Sequence, residues 1–150
     1  MASSVLAVLT VGLSAGLWAT RRWGRWPGRW LVWPQAAGML LISETAYLGR
    51  LPALLARWPS ADKVLHFLLF GGAAFWLDLW LGGRRWRGLP VAAALMLAAA
   101  TLDELAQAFS PVRTVDLGDW ACGAAGILAL GWLAGRLGAA LEARREGRCA

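Results

Sequence analysis

Six of the nine carboxylates in this 150-residue chain sit inside or at the ends of apolar stretches: Glu44, Asp62, Asp103, Glu104, Asp116 and Asp119. Their polar companions are few and close in sequence: Lys63, His66, Gln107 and Arg113. Asp62 and His66 stand at i,i+4 and would share one helix face. Asp103 and Glu104 precede Gln107 by about one turn, Arg113 follows after Pro111, and Asp116 and Asp119 stand at i,i+3. This set contains the parts of several chemistries. His66 with Glu104, and Asp103 beside it, can serve as general base or acid. Asp103, Asp116 and Asp119 are oxygen ligands of the kind that hold a divalent cation such as Mg or Mn. Lys63 and Arg113 can hold phosphate or carboxylate oxygens, with Asp62, Gln107 and Glu44 as further ligand contacts.

Charge sharpens the question. Six carboxylates against Lys63 and Arg113 leave a formal excess of four negative charges. So many anions do not remain ionised and bare in a low-dielectric site. Protonation, water, a metal ion or a substrate amine must offset them. A simpler reading stands beside this one for each residue: acids in a helix's first turn complement its macrodipole, so Asp62, Asp116 and Asp119 also fit as N-terminal caps.

The elements that must position these residues are apolar spans. Hydrophobic residues make up 59% of the chain and charged ones 16%, with eleven tryptophans. A membrane-crossing helix needs about 20 mostly apolar residues. Five such spans can be drawn: 3–20, 30–48, 63–81, 89–109 and 117–137, the second weakened by Pro34, Gln35 and Glu44 so that four is the alternative count. The expected fold is an all-α transmembrane bundle forming one domain over 1–150, with 1–28 an additional N-terminal span and basic loop. A charged side chain at mid-membrane costs roughly 2.5–3.5 kcal/mol on insertion scales, so repeated intramembrane acids call for a function. His66, Glu104 and Asp119 are therefore expected to converge at one membrane face.

Arg21, Arg22, Arg25, Arg29, Arg84, Arg85, Arg87, Arg136, Arg144, Arg145 and Arg148 fall on one side of this alternation; Arg50, Arg57, Lys63 and Arg113 fall on the other. Eleven against four assigns the first group to the cytoplasm, with the N-terminus outside, the C-terminus inside and the acidic set outward. Trp23, Trp26, Trp30, Trp33, Trp80 and Trp86 accompany the arginines, as an interfacial belt would. Asp78 is expected to pair with an arginine of the following loop. The first apolar run lacks the basic n-region of a signal peptide and reads as a retained helix. Arginines flanking apolar spans, instead of lining a polar face, argue against nucleic acid as the partner of the net +6 charge. Cys122 and Cys149 give no disulfide framework. Gly131 with Gly135, and Gly123 with Gly126, favour close helix packing within the bundle or in a homo-oligomer.

The stretches Asp62-Lys63-Val64-Leu65-His66-Phe67, Asp103-Glu104-Leu105-Ala106-Gln107-Ala108-Phe109-Ser110-Pro111-Val112-Arg113 and Asp116-Leu117-Gly118-Asp119 together resemble the VanZ-like family of bacterial membrane proteins. The resemblance covers about 43–135, and departs from the family's pattern at Gly123, where an asparagine is frequent. It implies a cell-envelope role in the bacterial inner membrane, and its founding member is associated with teicoplanin resistance. The function expected first is binding or modification of a lipid or lipid-linked envelope precursor at the outer face. A membrane-embedded, metal-dependent hydrolase or transferase is the second reading, and an ion-coupled carrier the third. Whether the chain is an enzyme stays open at this point.

Overall fold

A computed structural model of the chain describes residues 30–50 and 60–147. The expected first span, the arginines at 21, 22, 25, 29, 57 and 148, Trp23, Trp26 and Cys149 lie outside the described residues. The described chain forms helices α1 (Val32–Tyr47), α2 (Ala61–Leu81), α3 (Val91–Gln107) and α4 (Leu117–Glu146), with a two-stranded ribbon, β1 (Arg85–Trp86) and β2 (Leu89–Pro90), between α2 and α3.

The boundaries follow from local chemistry. Pro34 falls in the first turn of α1, where its missing N–H costs no intrahelical bond. At the other end Gly49 takes φ +64, and the Arg50 and Gly49 N–H groups donate to the carbonyls of Thr45 and Ala46 at 2.8 and 3.0 Å. This is a Schellman closure that satisfies carbonyls the helix would leave free. Gly82, also left-handed, ends α2 in the same way, with Gly83 N–H on the Asp78 carbonyl at 3.0 Å. Arg87 and Gly88 both have positive φ and close the β1–β2 hairpin, the turn geometry that matches strand twist. In α4 the Asp116 carboxylate accepts the Gly118 N–H at 2.7 Å, an N-terminal capping bond.

Helices α2 and α4 run parallel and pack more extensively than any other pair. Their backbones touch at glycines. A Cβ on Gly71 would lie 2.7 Å from the Gly126 carbonyl, and one on Gly126 would collide with the carbonyl of Phe67. Gly123 faces the Phe70 ring across the same seam, whereas Gly131 faces nothing within 4 Å and Gly135 meets only the Arg85 guanidinium. Small-residue packing is thus built on Gly71, Gly123 and Gly126. The core is correspondingly light: Phe70, Ala74, Ala100 and Ile127, with Met39, Met96 and Leu97 against it. Helix α3 returns the chain between the ends of α2 and α4, and α1 is tied to α2 by the Gln35 amide, which donates to the Leu69 carbonyl at 3.1 Å.

The expected count of five spans, or four, is corrected by this structure. Among the described residues only α2 and α4 are long and apolar enough to cross a membrane. Helix α1 has 16 residues and α3 has 17, about 24–26 Å at 1.5 Å per residue against a hydrocarbon core of about 30 Å. Hydropathy overextended both. Leu89 and Pro90 belong to the hairpin, and the last residues of the fourth apolar run, Ala108 and Phe109, form a tight turn beyond α3. Helix α4 is longer than expected, reaching Glu146. The fold is otherwise all-α, the hairpin excepted.

Candidate functional site

One end of the bundle collects the polar residues. The N-termini of α2 and α4 lie there, with the C-termini of α1 and α3 and the loop carrying Arg113. Asp62, Lys63 and His66 come from the first turns of α2; Asp103, Glu104 and Gln107 from the last turns of α3; Asp119 from the first turn of α4. His66, Glu104, Gln107 and Asp119 are buried, at 8%, 5%, 1% and 3% exposure.

Lys63 is the hub. Its ammonium donates to Asp116 Oδ2 at 2.5 Å and to Asp119 Oδ1 at 2.9 Å, joining the start of α2 to that of α4. Gly118 lets it reach them, because a Cβ there would stand 2.9 Å from Lys63 Nζ. The Lys63 ammonium holds the Asp116 carboxyl below the usual carboxylate range, helped by the Gly118 N–H. Arg113 faces Asp62 more loosely, at 3.4 and 3.5 Å, and its buried Nε has no partner. Glu104 Oε1 accepts the Asp116 N–H at 2.5 Å, whereas its Oε2 is buried without a partner. Asp103 accepts from Tyr47 Oη at 3.2 Å and from Gln107 Nε2 at 3.3 Å, leaving the Gln107 amide oxygen buried and unpaired.

A cleft with a cavity volume of ≈ 30 Å³ opens here, lined by Tyr47, Asp62, His66, Asp103, Gln107 and Arg113 together with apolar residues of α1 and α2. Its size suits a water, an ion or the tip of a headgroup and is far below the roughly 300–1,000 Å³ of small-molecule pockets. Asp62, His66 and Asp119 form a second grouping, each offering one ligand atom within 4.8 Å of the others.

The structure therefore brings all ten sequence-selected residues to one end, nine of them into the cleft or the polar network around it. Glu44 does not line the cleft. The α1 stripe that does is Met39, Ile42, Ser43, Ala46 and Tyr47, and position 44 falls off that face. Without Glu44, five carboxylates face Lys63 and Arg113, a formal excess of three. The candidate metal ligands divide. Asp119 belongs to the compact trio; Asp116 is occupied as cap and lysine partner, and Asp103 is held by Tyr47 and Gln107. His66 and Glu104 share no hydrogen bond; Glu104 serves the backbone of Asp116. First-turn acids thus take two roles: Asp116 is a cap, whereas Asp62 caps nothing and faces Arg113. Tyr47 is the site residue the sequence reading missed. Its signal was position, the sole tyrosine of the chain one turn beyond Glu44.

The opposite end is cationic, carrying Arg84, Arg85, Arg87, Arg136 and Arg144. Trp33 packs edge-on against Trp80 at 6.1 Å, and Arg87 and Arg136 lie over the rings of Trp86 and Trp132 at 5.1 and 5.2 Å. Buried Asp78 closes no ion pair among the described residues, although Arg85 is near enough to act on it electrostatically. Comparison with protein-family models, with curated proteins and with solved structures finds no match to this chain.

Proposed function

We propose that the chain is a VanZ-like membrane protein of the bacterial cell envelope that binds the headgroup of a lipid or lipid-linked precursor at its polar end. The observation that carries this reading is the division of the surface. The long helices leave large apolar side chains bare, among them Leu68, Leu128 and Trp132 at 55%, 62% and 63% exposure, and only 17% of the apolar window of α4 is buried. A core helix of a soluble protein would be covered; a helix in lipid needs no cover.

Helices α2 and α4 cross the bacterial inner membrane in parallel, with α3 bringing the chain back between them. The polar end faces outward, because Arg84, Arg85, Arg87, Arg136 and Arg144 belong on the cytoplasmic side. Arg113 provides the anion contact. Its ion pair with Asp62 is long and its Nε is free, so a phosphate oxygen can replace weak bonds without breaking strong ones. A ligand enters laterally, the acyl or prenyl chain along the exposed apolar flanks and the headgroup at the cleft. Action on an envelope precursor would also link the protein to glycopeptide susceptibility.

Native mass spectrometry of the full chain, extracted with its lipids and then challenged with a polyprenyl phosphate, tests this. One phosphate-bearing lipid per chain is expected, with retention lost in Arg113→Ala. Equal retention by wild type and variant, or reagent labelling that locates Asp62 at the cytoplasmic face, refutes it.

A further inference from the structure

The geometry points to a divalent-cation site formed by Asp62, His66 and Asp119, of the kind that takes zinc. This does not depend on the lipid reading; the ion would bind with or without a headgroup.

The ligand set comes from two helices. Asp62 and His66 are one turn apart on α2, and Asp119 is delivered by α4 across the Gly71–Gly126 contact. Their ligand atoms lie within 4.8 Å of one another. Around a tetrahedral zinc with bonds of about 2.0–2.1 Å, ligand atoms are about 3.3 Å apart, so a closure of about 1.5 Å completes the site. Asp62, with a side chain 44% exposed, has the freedom to make that movement by rotation. Lys63 occupies Asp119 Oδ1, which leaves the second oxygen of that carboxylate for an ion.

Two observations beyond the acids point to a ligand. His66 is 8% exposed, lines the cleft and makes no hydrogen bond; its closest charged partner, Asp62 Oδ1, is 3.9 Å from Nε2. At 3.9 Å the Asp62 carboxylate is too far to hydrogen-bond the ring, and an ion between them would satisfy both groups. The Gln107 amide oxygen, in a residue 1% exposed, lines the same cleft and is also unpaired. It shares the cleft with Asp62 and His66, so a water on an ion held there would supply the donor it lacks. Formal charge agrees: a dication reduces the excess of three negative charges to one. The nitrogen ligand favours zinc over magnesium, calcium and manganese, which suit oxygen shells.

The chain has a single histidine, so its ring nitrogens report on the site directly. The experiment uses the untagged full chain in detergent, with Cys122→Ser and Cys149→Ser removing competing thiols, stripped by chelator and titrated with zinc chloride. One zinc per chain is expected, with a shift of one imidazole ¹⁵N resonance and no competition by magnesium. Asp62→Asn and Asp119→Asn should each weaken binding about tenfold or more, since even outer-shell partners of a metal contribute about 10–100-fold. Absence of stoichiometric zinc, zinc bound with the imidazole signals unmoved, or wild-type affinity in both variants overturns the proposal. If a variant fails to fold, the wild-type imidazole shift alone decides.

Discussion

Replacing Glu104 by alanine and, separately, by glutamine asks whether this buried acid holds the backbone or carries charge for a ligand. Glu104 is 5% exposed, and its Oε1 takes the Asp116 N–H at 2.5 Å, just where α4 begins. A hydrogen bond to a charged acceptor contributes about 1.5–3 kcal/mol, and a neutral one about 1 kcal/mol. Glu104→Ala removes the acceptor and leaves the N–H without it, so a loss of about 2–3 kcal/mol is expected. Glu104→Gln keeps an acceptor oxygen in place, and its amide nitrogen replaces an Oε2 that has no partner to lose. It also removes one of three excess anions, so its net cost should stay within about 1 kcal/mol. The two variants should therefore differ by about 1–3 kcal/mol, a factor of roughly 5–150 in the folding equilibrium. Reversible unfolding of the full chain in mixed micelles, followed by tryptophan fluorescence, measures the difference. Equal stabilities for the two variants would refute the claim that Glu104 acts through the Asp116 N–H.

Gly126→Ala should destabilise by about 1–3 kcal/mol, because the new methyl meets the immovable Phe67 carbonyl, whereas Gly131→Ala, with nothing within 4 Å, should be neutral or gain up to about 1 kcal/mol in helix propensity; the same unfolding assay compares them. The carboxyl of Asp116, depressed by Lys63, should titrate below the usual range near 3.9. Its contribution to stability is therefore complete above that range and is lost as pH falls through the lowered value. Carboxyl ¹³C shifts against pH check this, and Lys63→Met should move the midpoint upward.

The spacing of polar residues made the site legible while helix length remained obscure. Asp62 with His66 and Asp116 with Asp119 declare one-turn neighbours whatever surrounds them, so their assembly at helix ends follows from local periodicity. Hydropathy averages over neighbours and cannot see that Pro90 closes a hairpin turned at Arg87–Gly88. It therefore lengthened α3, just as it lengthened α1, and the count of five spans failed. Glu44 falls outside the cleft for a related reason. Level along the bundle can be read from sequence, but which face of α1 turns inward depends on partners such as Leu69, Phe70 and Asp103. The same limit hid Tyr47, whose role exists only once α3 lies beside it, and left open which of two glycine pairs makes the seam: Gly123 and Gly126 face α2, and Gly131 and Gly135 do not.

The glycine crossing of α2 and α4 divides responsibility within the molecule. His66 lies five residues from Gly71 and Asp119 seven from Gly126, about 7.5 and 10.5 Å along their helices. The spacing of those two side chains is thus fixed by a backbone contact remote from them. Helix α1, joined by the Gln35 and Tyr47 hydrogen bonds, supplies the other wall. Substitutions along Met39, Ile42, Ser43 and Ala46 are therefore free to reshape what the cleft admits without altering the distance between the imidazole and the carboxylate. The lining of the cleft can vary on one helix while the pairing of His66 with Asp119 stays anchored to the other two.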